Sequence, residues 1–210
     1  MTTIAIVPAK SPWQAKSRLA RELPEHDRAA MSLDMLRAVL GQVRRVAEIA
    51  GCGVVSGDEA ALALAIELGC EPLREAAGGL NQALELGRSW ALQRGAEALL
   101  VLPGDVPLVR WSDIDDMLRL AQRPGIVLAP SHDRGTNALL LRPPDAIPFC
   151  FGRDSARLHR LEAARRSLSV SVLRRGTLAF DVDTPADLAA YLAVEEGLAQ
   201  LDEAQRLAAR

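Results

Sequence analysis

Lysine, cysteine and long apolar runs are all scarce in this 210-residue chain. The three cysteines, Cys52, Cys70 and Cys150, are odd in number and lack metal-ligand spacing, which favours a reduced compartment. No apolar run approaches the roughly 20 residues that cross a bilayer, and the N-terminus lacks a signal-peptide pattern. With a net charge of −2, the chain gives no reason to expect nucleic-acid binding. We therefore expect a soluble cytoplasmic protein.

Several familiar catalytic motifs are also missing. The chain contains neither a G-x-x-x-x-G-K-[ST] phosphate loop nor a G-x-S-x-G nucleophile elbow. Its histidines, His26, His132 and His159, are not spaced as metal ligands, and each is expected to be a surface or core residue. Any phosphate chemistry must therefore rest on other residues.

Only two lysines occur among the 25 basic residues, and both Lys10 and Lys16 lie in one short N-terminal segment. A coding bias toward arginine explains a shortage of lysine, but it should remove lysine everywhere. A compact ammonium suits a triphosphate differently from a planar guanidinium. The two lysines favour a functional segment, with a solvated basic loop as the alternative.

Short apolar runs alternate with amphipathic stretches along the chain, which predicts an α/β fold with a mostly parallel sheet and flanking helices. The predicted strands are Thr3–Pro8, Gly53–Ser56, Ala98–Leu102, Ile126–Ala129, Ala138–Arg142, Ser169–Arg174 and Leu178–Val182. The predicted helices are Glu25–Ala47, Glu59–Leu68, Leu80–Arg94, Ser112–Ala121, Ser155–Arg166 and Pro185–Leu192. Between them, Pro143–Asp154 is a long irregular stretch of the kind that is often functional.

The last predicted helix carries a start signal, with Thr184 as N-cap, Pro185 at the first helical position and Asp187 three residues after the cap. A helical tail, residues 193–210, follows. Its apolar stripe consists of Val194, Leu198, Leu201 and Ala208. That stripe packs on its own domain or, alternatively, forms a homodimer contact.

Three cations, Lys10, Lys16 and Arg18, lie between the first strand and the next helix. In an α/β sheet, a loop at this position is where a ligand normally binds. Exposed amides and three cations can hold a triphosphate without a phosphate loop. This segment therefore indicates a nucleotide site.

Acidic residues follow two predicted strands. Asp105 stands just beyond the apolar run Leu99–Leu102, where a carboxylate is costly to bury unless it is paired or bound to a metal. Asp181 and Asp183 are two residues apart on a predicted strand, so both side chains should point to one face. Mg²⁺ prefers such hard oxygen ligands. A metal site is predicted, with turn or helix capping as the alternative.

Two further segments offer neutral hydrogen-bond donors. Gly135-Thr136-Asn137 leads into a strand, and Gly152 precedes a helix start near Ser155. Exposed amides and hydroxyls at such positions suit a carboxylate or phosphate. Ordinary turn and cap chemistry is the alternative.

Together these segments resemble the 2-phospho-L-lactate guanylyltransferase family of coenzyme F(420) biosynthesis, which is related to the molybdenum-cofactor nucleotidyltransferases and other glycosyltransferase-A-like folds. The resemblance runs from about Ile4 to Leu192 and depends on six segments in the same order. They are Val7-Pro8-Ala9-Lys10 with Ala15-Lys16-Ser17-Arg18-Leu19, Gly79-Leu80-Asn81, Leu102-Pro103-Gly104-Asp105-Val106-Pro107-Leu108, Gly135-Thr136-Asn137-Ala138, Phe151-Gly152-Arg153-Asp154-Ser155 and Asp181-Val182-Asp183-Thr184-Pro185.

The resemblance implies a Rossmann-like nucleotidyltransferase domain over residues 1–192, with GTP as donor, Mg²⁺ as cofactor and a phosphorylated three-carbon acid as acceptor. The implied nucleotide contacts are Pro8, Ala9, Lys10, Lys16, Gly79 and Asn81. The implied metal ligands are Asp105, Asp181 and Asp183, and the implied acceptor contacts are Thr136, Gly152 and Ser155. Lys16 and Asp105 are the expected catalytic residues.

One departure from the family pattern concerns the acceptor. Arg134 stands where many members have a small residue, directly before Gly135-Thr136. A long cation there could reach the acceptor, so the resemblance leaves 2-phospho-L-lactate, phosphoenolpyruvate and 3-phospho-D-glycerate open and leans toward the last.

The expected reaction is in-line attack by an acceptor phosphate oxygen on the α-phosphorus of GTP. A phosphomonoester has a second pKa of about 6, so it is already mostly a dianion at neutral pH and needs no general base. Two other functions stay open: a related transferase with another nucleotide or acceptor, and a non-catalytic nucleotide-binding regulator.

Overall fold

The computed structural model describes residues 1–13, 16–75 and 79–208, with the backbone alone at residues 17, 195 and 198–208. Within these ranges, seven strands form one sheet. They are β1 (Thr3–Pro8), β2 (Ile49–Ser56), β3 (Glu71–Arg74), β4 (Ala98–Val101), β5 (Gly125–Pro130), β6 (Thr136–Arg142) and β7 (Ser169–Val172). The helices are α1 (Glu25–Val43), α2 (Glu59–Glu67), α3 (Leu80–Gln93), α4 (Trp111–Leu120), α5 (Ser155–Arg165), α6 (Gly176–Ala179) and α7 (Pro185–Ala208), with a 3-10 turn at Ser17–Leu19.

The sheet is mostly parallel, as predicted. Its strand order is β3-β2-β1-β4-β6-β5-β7. Only β6 runs against its neighbours among these strands, pairing antiparallel with both β4 and β5. The C-terminal ends of β1, β4 and β5 therefore share one edge with the beginning of β6, and chain segments from both directions meet there.

Helices cover both faces of the sheet because its central strands are apolar on both sides. Successive side chains of β1 alternate between faces. Ala5 and Val7 pack in a core with residues of α1, α2 and α4. Ile4 and Ile6 pack on the other face with residues of α3, including Leu84. This double burial explains why the central strands read as continuous apolar runs.

The predicted strand Leu178–Val182 is wrong. Residues 176–179 form the short helix α6, and residues 180–183 have no regular structure. Leu178 is fully buried in the core beneath α1 and α4, and Val182 packs in a separate cluster with Leu19, Met35 and Leu188. A short apolar run is ambiguous between strand and helix. Here, its apolar side chains are buried without joining the sheet.

The short edge strand β3 was not predicted. Of its four residues only Leu73 is buried, so the segment lacks the apolar run that marks a strand. Pro72 also has no backbone N–H to donate to a neighbouring strand. Proline is tolerated there because β3 lies at the edge of the sheet.

At the C-terminus, α7 continues without interruption from Pro185 to Ala208, so the predicted helix and the predicted helical tail are one element. Val194 is exposed. The other stripe residues, Leu198, Leu201 and Ala208, lie outside the described side chains, and residues 209–210 lie outside the described chain. The homodimer contact and the boundary at residue 192 stay predictions.

Candidate active site

A cavity of about 440 Å³ opens at the edge where β1, β4 and β5 end and β6 begins. Most of the residues predicted for a site line it together, although they come from distant parts of the chain. They are Pro8, Ala9, Lys10, Lys16, Gly79, Asp105, Thr136, Gly152, Ser155, Asp181 and Asp183. Asn81 and Arg134, which were also predicted, are not among the lining residues.

Backbone hydrogen bonds hold the loop after β1 against its neighbours. The Ala9 amide donates to the Val55 carbonyl at 2.9 Å, and the Gly104 amide donates to the Pro8 carbonyl at 3.1 Å. The loop that carries Asp105 is thereby fastened to the loop that carries Lys10. Ala15, part of the same predicted motif, lies outside the described residues.

Lys16 bridges two of the predicted metal-binding carboxylates. Its Nζ lies 3.0 Å from Asp105 Oδ2 and 3.2 Å from Asp183 Oδ1. The lysine side chain is only 4% exposed, whereas the two carboxylates are 42% and 47% exposed. Burial lowers the pKa of Lys16, but both carboxylates outweigh it, and the pKa is raised overall. The ammonium thus stays charged and offsets part of the negative charge of the two carboxylates.

Asp181 is the most buried member of the acidic group, with a side chain 19% exposed. Burial raises its pKa, and the charges of Asp105 and Asp183 raise it further, while a 3.4 Å hydrogen bond from Asn137 Nδ2 acts in the opposite direction. His132 Nδ1 lies 3.8 Å from its Oδ1. The mutual repulsion means that the three carboxylates share one electrostatic environment.

The donor set suits Mg²⁺, since it consists of carboxylate oxygens that open onto one cavity. The described residues nevertheless contain no group of three acidic, histidine or cysteine side chains already arranged around one ion position. Two carboxylates face the Lys16 ammonium instead. Mg²⁺ commonly takes one or two carboxylates and completes its shell with water and substrate phosphates, which this arrangement permits.

A helix cap, and not a strand, positions Asp183. Because residues 180–183 are irregular, Asp181 and Asp183 do not share a strand face. A reciprocal cap positions Asp183 instead: Asp187 Oδ2 accepts from the Asp183 and Thr184 amides at 3.2 and 2.8 Å, and the Asp187 amide donates to Thr184 Oγ1 at 3.3 Å. The predicted helix start at Thr184 and Pro185 is therefore confirmed. It holds the backbone of Asp183 and leaves its carboxylate for Lys16.

Two glycines shape the cavity wall. Gly79 (φ +84°) precedes α3, and Gly152 (φ +127°) precedes α5. A Cβ at either position would meet nothing within 4 Å. Backbone conformation, which other residues rarely adopt, is thus the reason for glycine at both positions.

Asn81 fastens the long 143–154 segment to α3. Its Nδ2 donates to the Phe151 carbonyl at 3.1 Å, and its Oδ1 accepts from the Phe151 amide at 2.8 Å. Phe151 itself lines the cavity. The observed contacts of Asn81 are thus to the protein, and its nucleotide contact stays a prediction.

On the side of the cavity predicted to bind the acceptor, the lining groups Thr136 and Ser155 are buried hydroxyls and carry no charge. Thr136 begins β6 and Ser155 begins α5, and both are at most 5% exposed. The Ser155 hydroxyl donates to Thr136 Oγ1 at 3.0 Å. The two side chains are therefore buried and bonded to each other, although they begin different elements.

Arg134 turns away toward a different cavity of about 470 Å³, which it lines together with Arg157, Arg160 and Arg174. Its side chain is 84% exposed and lies 3.8 Å from Asp154 Oδ1. An acceptor contact from Arg134 stays a prediction that this placement does not favour.

Sequence reasoning missed several cavity residues. Ser131 and Asp133 line the cavity but resemble ordinary turn residues in the sequence. His26 and His132 are exposed, as expected, and His159 is a core residue. However, His159 also bonds Thr136 Oγ1 at 3.1 Å. Its position four residues after Ser155, on the same helix face, was the available signal.

Within the described ranges, none of the helices combines the length and apolar character that a bilayer crossing requires.

Comparison with solved structures identifies the fold. The structure is similar to that of a nucleotidyl transferase from Methanothermobacter thermautotrophicus, with a TM-score of 0.69 and 17% identity over 95% of this chain and 99% of the other. At that identity the likeness shows the fold of a nucleotidyltransferase.

Sequence comparison then gives the family. Residues 3–200 match the model of the guanylyl transferases described as CofC like, so the chain belongs to that family. It is 47% identical over 191 residues to a phosphoenolpyruvate guanylyltransferase from Rubrobacter xylanophilus, covering 90% of this chain and 93% of the relative. It is 33% identical over 189 residues to a 3-phospho-D-glycerate guanylyltransferase from Colwellia psychrerythraea, covering 90% of both. The protein is a guanylyltransferase, as the sequence resemblance implied.

Proposed function

We propose that this protein transfers GMP from GTP to phosphoenolpyruvate in coenzyme F(420) biosynthesis, releasing pyrophosphate. The proposal depends on one observation: a charged group of side chains and a neutral, hydroxyl-bearing group line the same cavity. Lys16, Asp105 and Asp183 face one another on the first side, and Thr136 and Ser155 form the second.

Phosphoenolpyruvate is preferred over 3-phospho-D-glycerate for two reasons. The Rubrobacter relative named for phosphoenolpyruvate is 47% identical, whereas two relatives named for 3-phospho-D-glycerate are 33% and 38% identical. In addition, the lean toward 3-phospho-D-glycerate depended on Arg134, which lines the neighbouring cavity.

In the proposed reaction, an oxygen of the acceptor phosphate attacks the α-phosphorus of GTP. The new P–O bond forms as the bond to the β-phosphate bridging oxygen breaks, and pyrophosphate leaves with that electron pair. The attacking phosphate is already mostly a dianion at pH 7, so no side chain has to remove a proton. The task of the protein is to bring two anions together.

Lys10 and Lys16, which line the cavity on the loop after β1, would hold the triphosphate. Asp105 and Asp183, together with the more buried Asp181, would hold Mg²⁺, which would supply neutralisation of phosphate charge. Lys16 offsets the charge of these carboxylates before substrate binds. The acceptor acid would take its hydrogen bonds from the buried hydroxyls across the cavity. Both proposed substrates are small soluble anions, and we place the reaction in the cytoplasm.

The decisive test is mass spectrometry of the product formed from GTP, Mg²⁺ and an equimolar mixture of the three candidate acids. Guanylylated phosphoenolpyruvate is expected as the main product. A product formed only from 3-phospho-D-glycerate or 2-phospho-L-lactate would overturn the acceptor, and pyrophosphate release with CTP but not GTP would overturn the donor.

The metal proposal has a separate test. EDTA should abolish turnover and added Mg²⁺ should restore it. Activity that survives EDTA would contradict the metal proposal.

A further inference from the structure

A fully buried histidine lies behind the two acceptor-side hydroxyls. His159 is 0% exposed and stands one helical turn after Ser155 on α5. Its Nδ1 lies 3.1 Å from Thr136 Oγ1, and its Nε2 lies 3.0 Å from the Cys150 amide nitrogen. The Phe151 ring closes the site in an edge contact, with ring centroids 4.9 Å apart. Both ring nitrogens are thus engaged.

These contacts determine where the ring carries its proton. A backbone amide can only donate, so Nε2 must present a lone pair to Cys150. Burial lowers the pKa of His159 to about 4, so the ring is neutral at pH 7. Its single proton therefore lies on Nδ1 and is donated to Thr136 Oγ1.

The state of the histidine in turn fixes the hydroxyl pair. Thr136 Oγ1 accepts from His159 and also from the Ser155 hydroxyl at 3.0 Å. A hydroxyl oxygen has two lone pairs, so both are occupied, and the Thr136 hydrogen must be donated elsewhere. If the bond between the two hydroxyls were reversed, the Ser155 hydrogen would be released in its place. Either way, one hydroxyl hydrogen remains for the cavity that both residues line.

We propose that His159 is a positioning residue that forces the Thr136–Ser155 pair to present a hydroxyl hydrogen to an anionic oxygen of the acceptor acid. The inference rests on the proposed function. His159 does not touch the substrate; it acts through Thr136. A hydroxyl locked as a donor matches a carboxylate or phosphate oxygen, which can only accept.

The competing explanation is that His159 merely fills the core and satisfies the Cys150 amide. Two substitutions separate these roles. His159→Asn places an amide N–H near the Nδ1 position and keeps a donor toward Thr136. His159→Gln places an amide oxygen near the Nε2 position, keeping an acceptor for Cys150 while losing that donor.

The experiment measures the KM for phosphoenolpyruvate, the KM for GTP and the thermal midpoint of both variants, each in the wild-type and the Thr136→Val background. His159→Gln should raise the phosphoenolpyruvate KM about 10-fold, as the loss of one oriented hydrogen bond predicts. The GTP KM should change less than about 2-fold, and His159→Asn should raise the acceptor KM less than about 3-fold. In the Thr136→Val background, His159→Gln should add less than about 2-fold, because the hydroxyl that it orients is gone.

Multiplicative effects of His159→Gln and Thr136→Val, or a thermal shift with unchanged acceptor KM, would overturn the inference. Imidazole ¹⁵N NMR of the wild-type protein covers the case in which the variants fail to fold. The Nδ1–H tautomer is expected at pH 7, and the Nε2–H tautomer would refute the mechanism. A wild-type protein that transfers GMP to none of the acids overturns the proposed function instead, so the two failures are distinguishable.

Discussion

The two halves of the active-site cavity solve different problems with different chemistry. The proposed nucleotide half places Lys16 between two carboxylates that are nearly half exposed. The proposed acceptor half places Thr136, Ser155 and His159 in a neutral network that is at most 5% exposed. Charges open to solvent can change partners when a metal or a triphosphate arrives, whereas a buried network cannot rearrange cheaply. Under the proposed function, the groups that meet charge and the groups that contact the acid therefore lie on different elements of the fold.

The largest effect on activity is expected when one carboxylate is removed from the charged side of the cavity. Asp105→Asn and Asp183→Asn should each reduce kcat by about 100- to 1000-fold, as expected when a group that stabilises transferred charge is lost. Both side chains are substantially exposed and the remaining carboxylate still pairs with Lys16, so the thermal midpoint should fall only slightly. Steady-state pyrophosphate release and calorimetry measure the two effects. Near-wild-type turnover in either variant would refute the assignment.

Removing the Lys16 ammonium tests whether it balances the carboxylates. Lys16→Met should lower kcat/KM for GTP about 10- to 100-fold, a range typical of one lost charge contact in a phosphoryl site. Without nucleotide, Mn²⁺ should bind this variant more tightly than wild type, because Asp105 and Asp183 lose their competing cation. Arg37→Met, which removes a cation from an exposed pair with Glu67, is the control and should leave both quantities unchanged. Weaker Mn²⁺ binding by Lys16→Met would count against the balance.

The buried His159 should make the stability of the protein depend on pH. The pKa of His159 is lowered by burial from its ordinary value of 6.5 to about 4. Between these values the unfolded chain binds the extra proton and the folded chain does not, so stability is full above pH 6.5 and falls as the pH drops toward 4. The loss amounts to about 3 kcal/mol. Urea unfolding between pH 7 and 4.5 measures this loss of unfolding free energy. In His159→Gln the loss over the same pH range should be smaller by about that amount. Equal slopes in both proteins would show that His159 is not buried in its neutral form.

The smallest effect is expected at Arg134, which borders the acceptor half from outside. Its side chain is 84% exposed and lines the neighbouring cavity. Arg134→Ala should therefore change the phosphoenolpyruvate KM less than about 2-fold, in line with the small effects of exposed charges. A 10-fold rise would restore Arg134 as an acceptor contact and extend the acceptor site into that cavity.

The sequence predicted the layered fold well because apolar runs and amphipathic stretches report burial directly. It did not predict that β6 runs antiparallel to its neighbours, since the apolar pattern of Thr136–Arg142 carries no information on strand direction. It also misassigned residues 178–182, where apolar side chains pack between elements without joining the sheet.

For the site, the sequence identified the participating residue types more reliably than their contacts. Asp105 and Lys16 are 89 residues apart, and their ion pair depends on a loop in which Lys16 adopts a left-handed backbone with φ +55°. Neither feature has a local pattern. His159 was missed for a similar reason, because its partners Thr136 and Cys150 become neighbours only once β6 and α5 are packed.

The reversal of β6 has a consequence for how this enzyme can change. Since β5 and β6 form an antiparallel pair in which Pro130 faces Thr136, the turn between them, residues 131–135, hangs over the cavity as a hairpin tip. A hairpin tip can be lengthened or exchanged without displacing the strands that flank it. Residues of this turn that line the cavity can therefore change, while the proposed nucleotide-binding loops beyond β1 and β4 stay as they are.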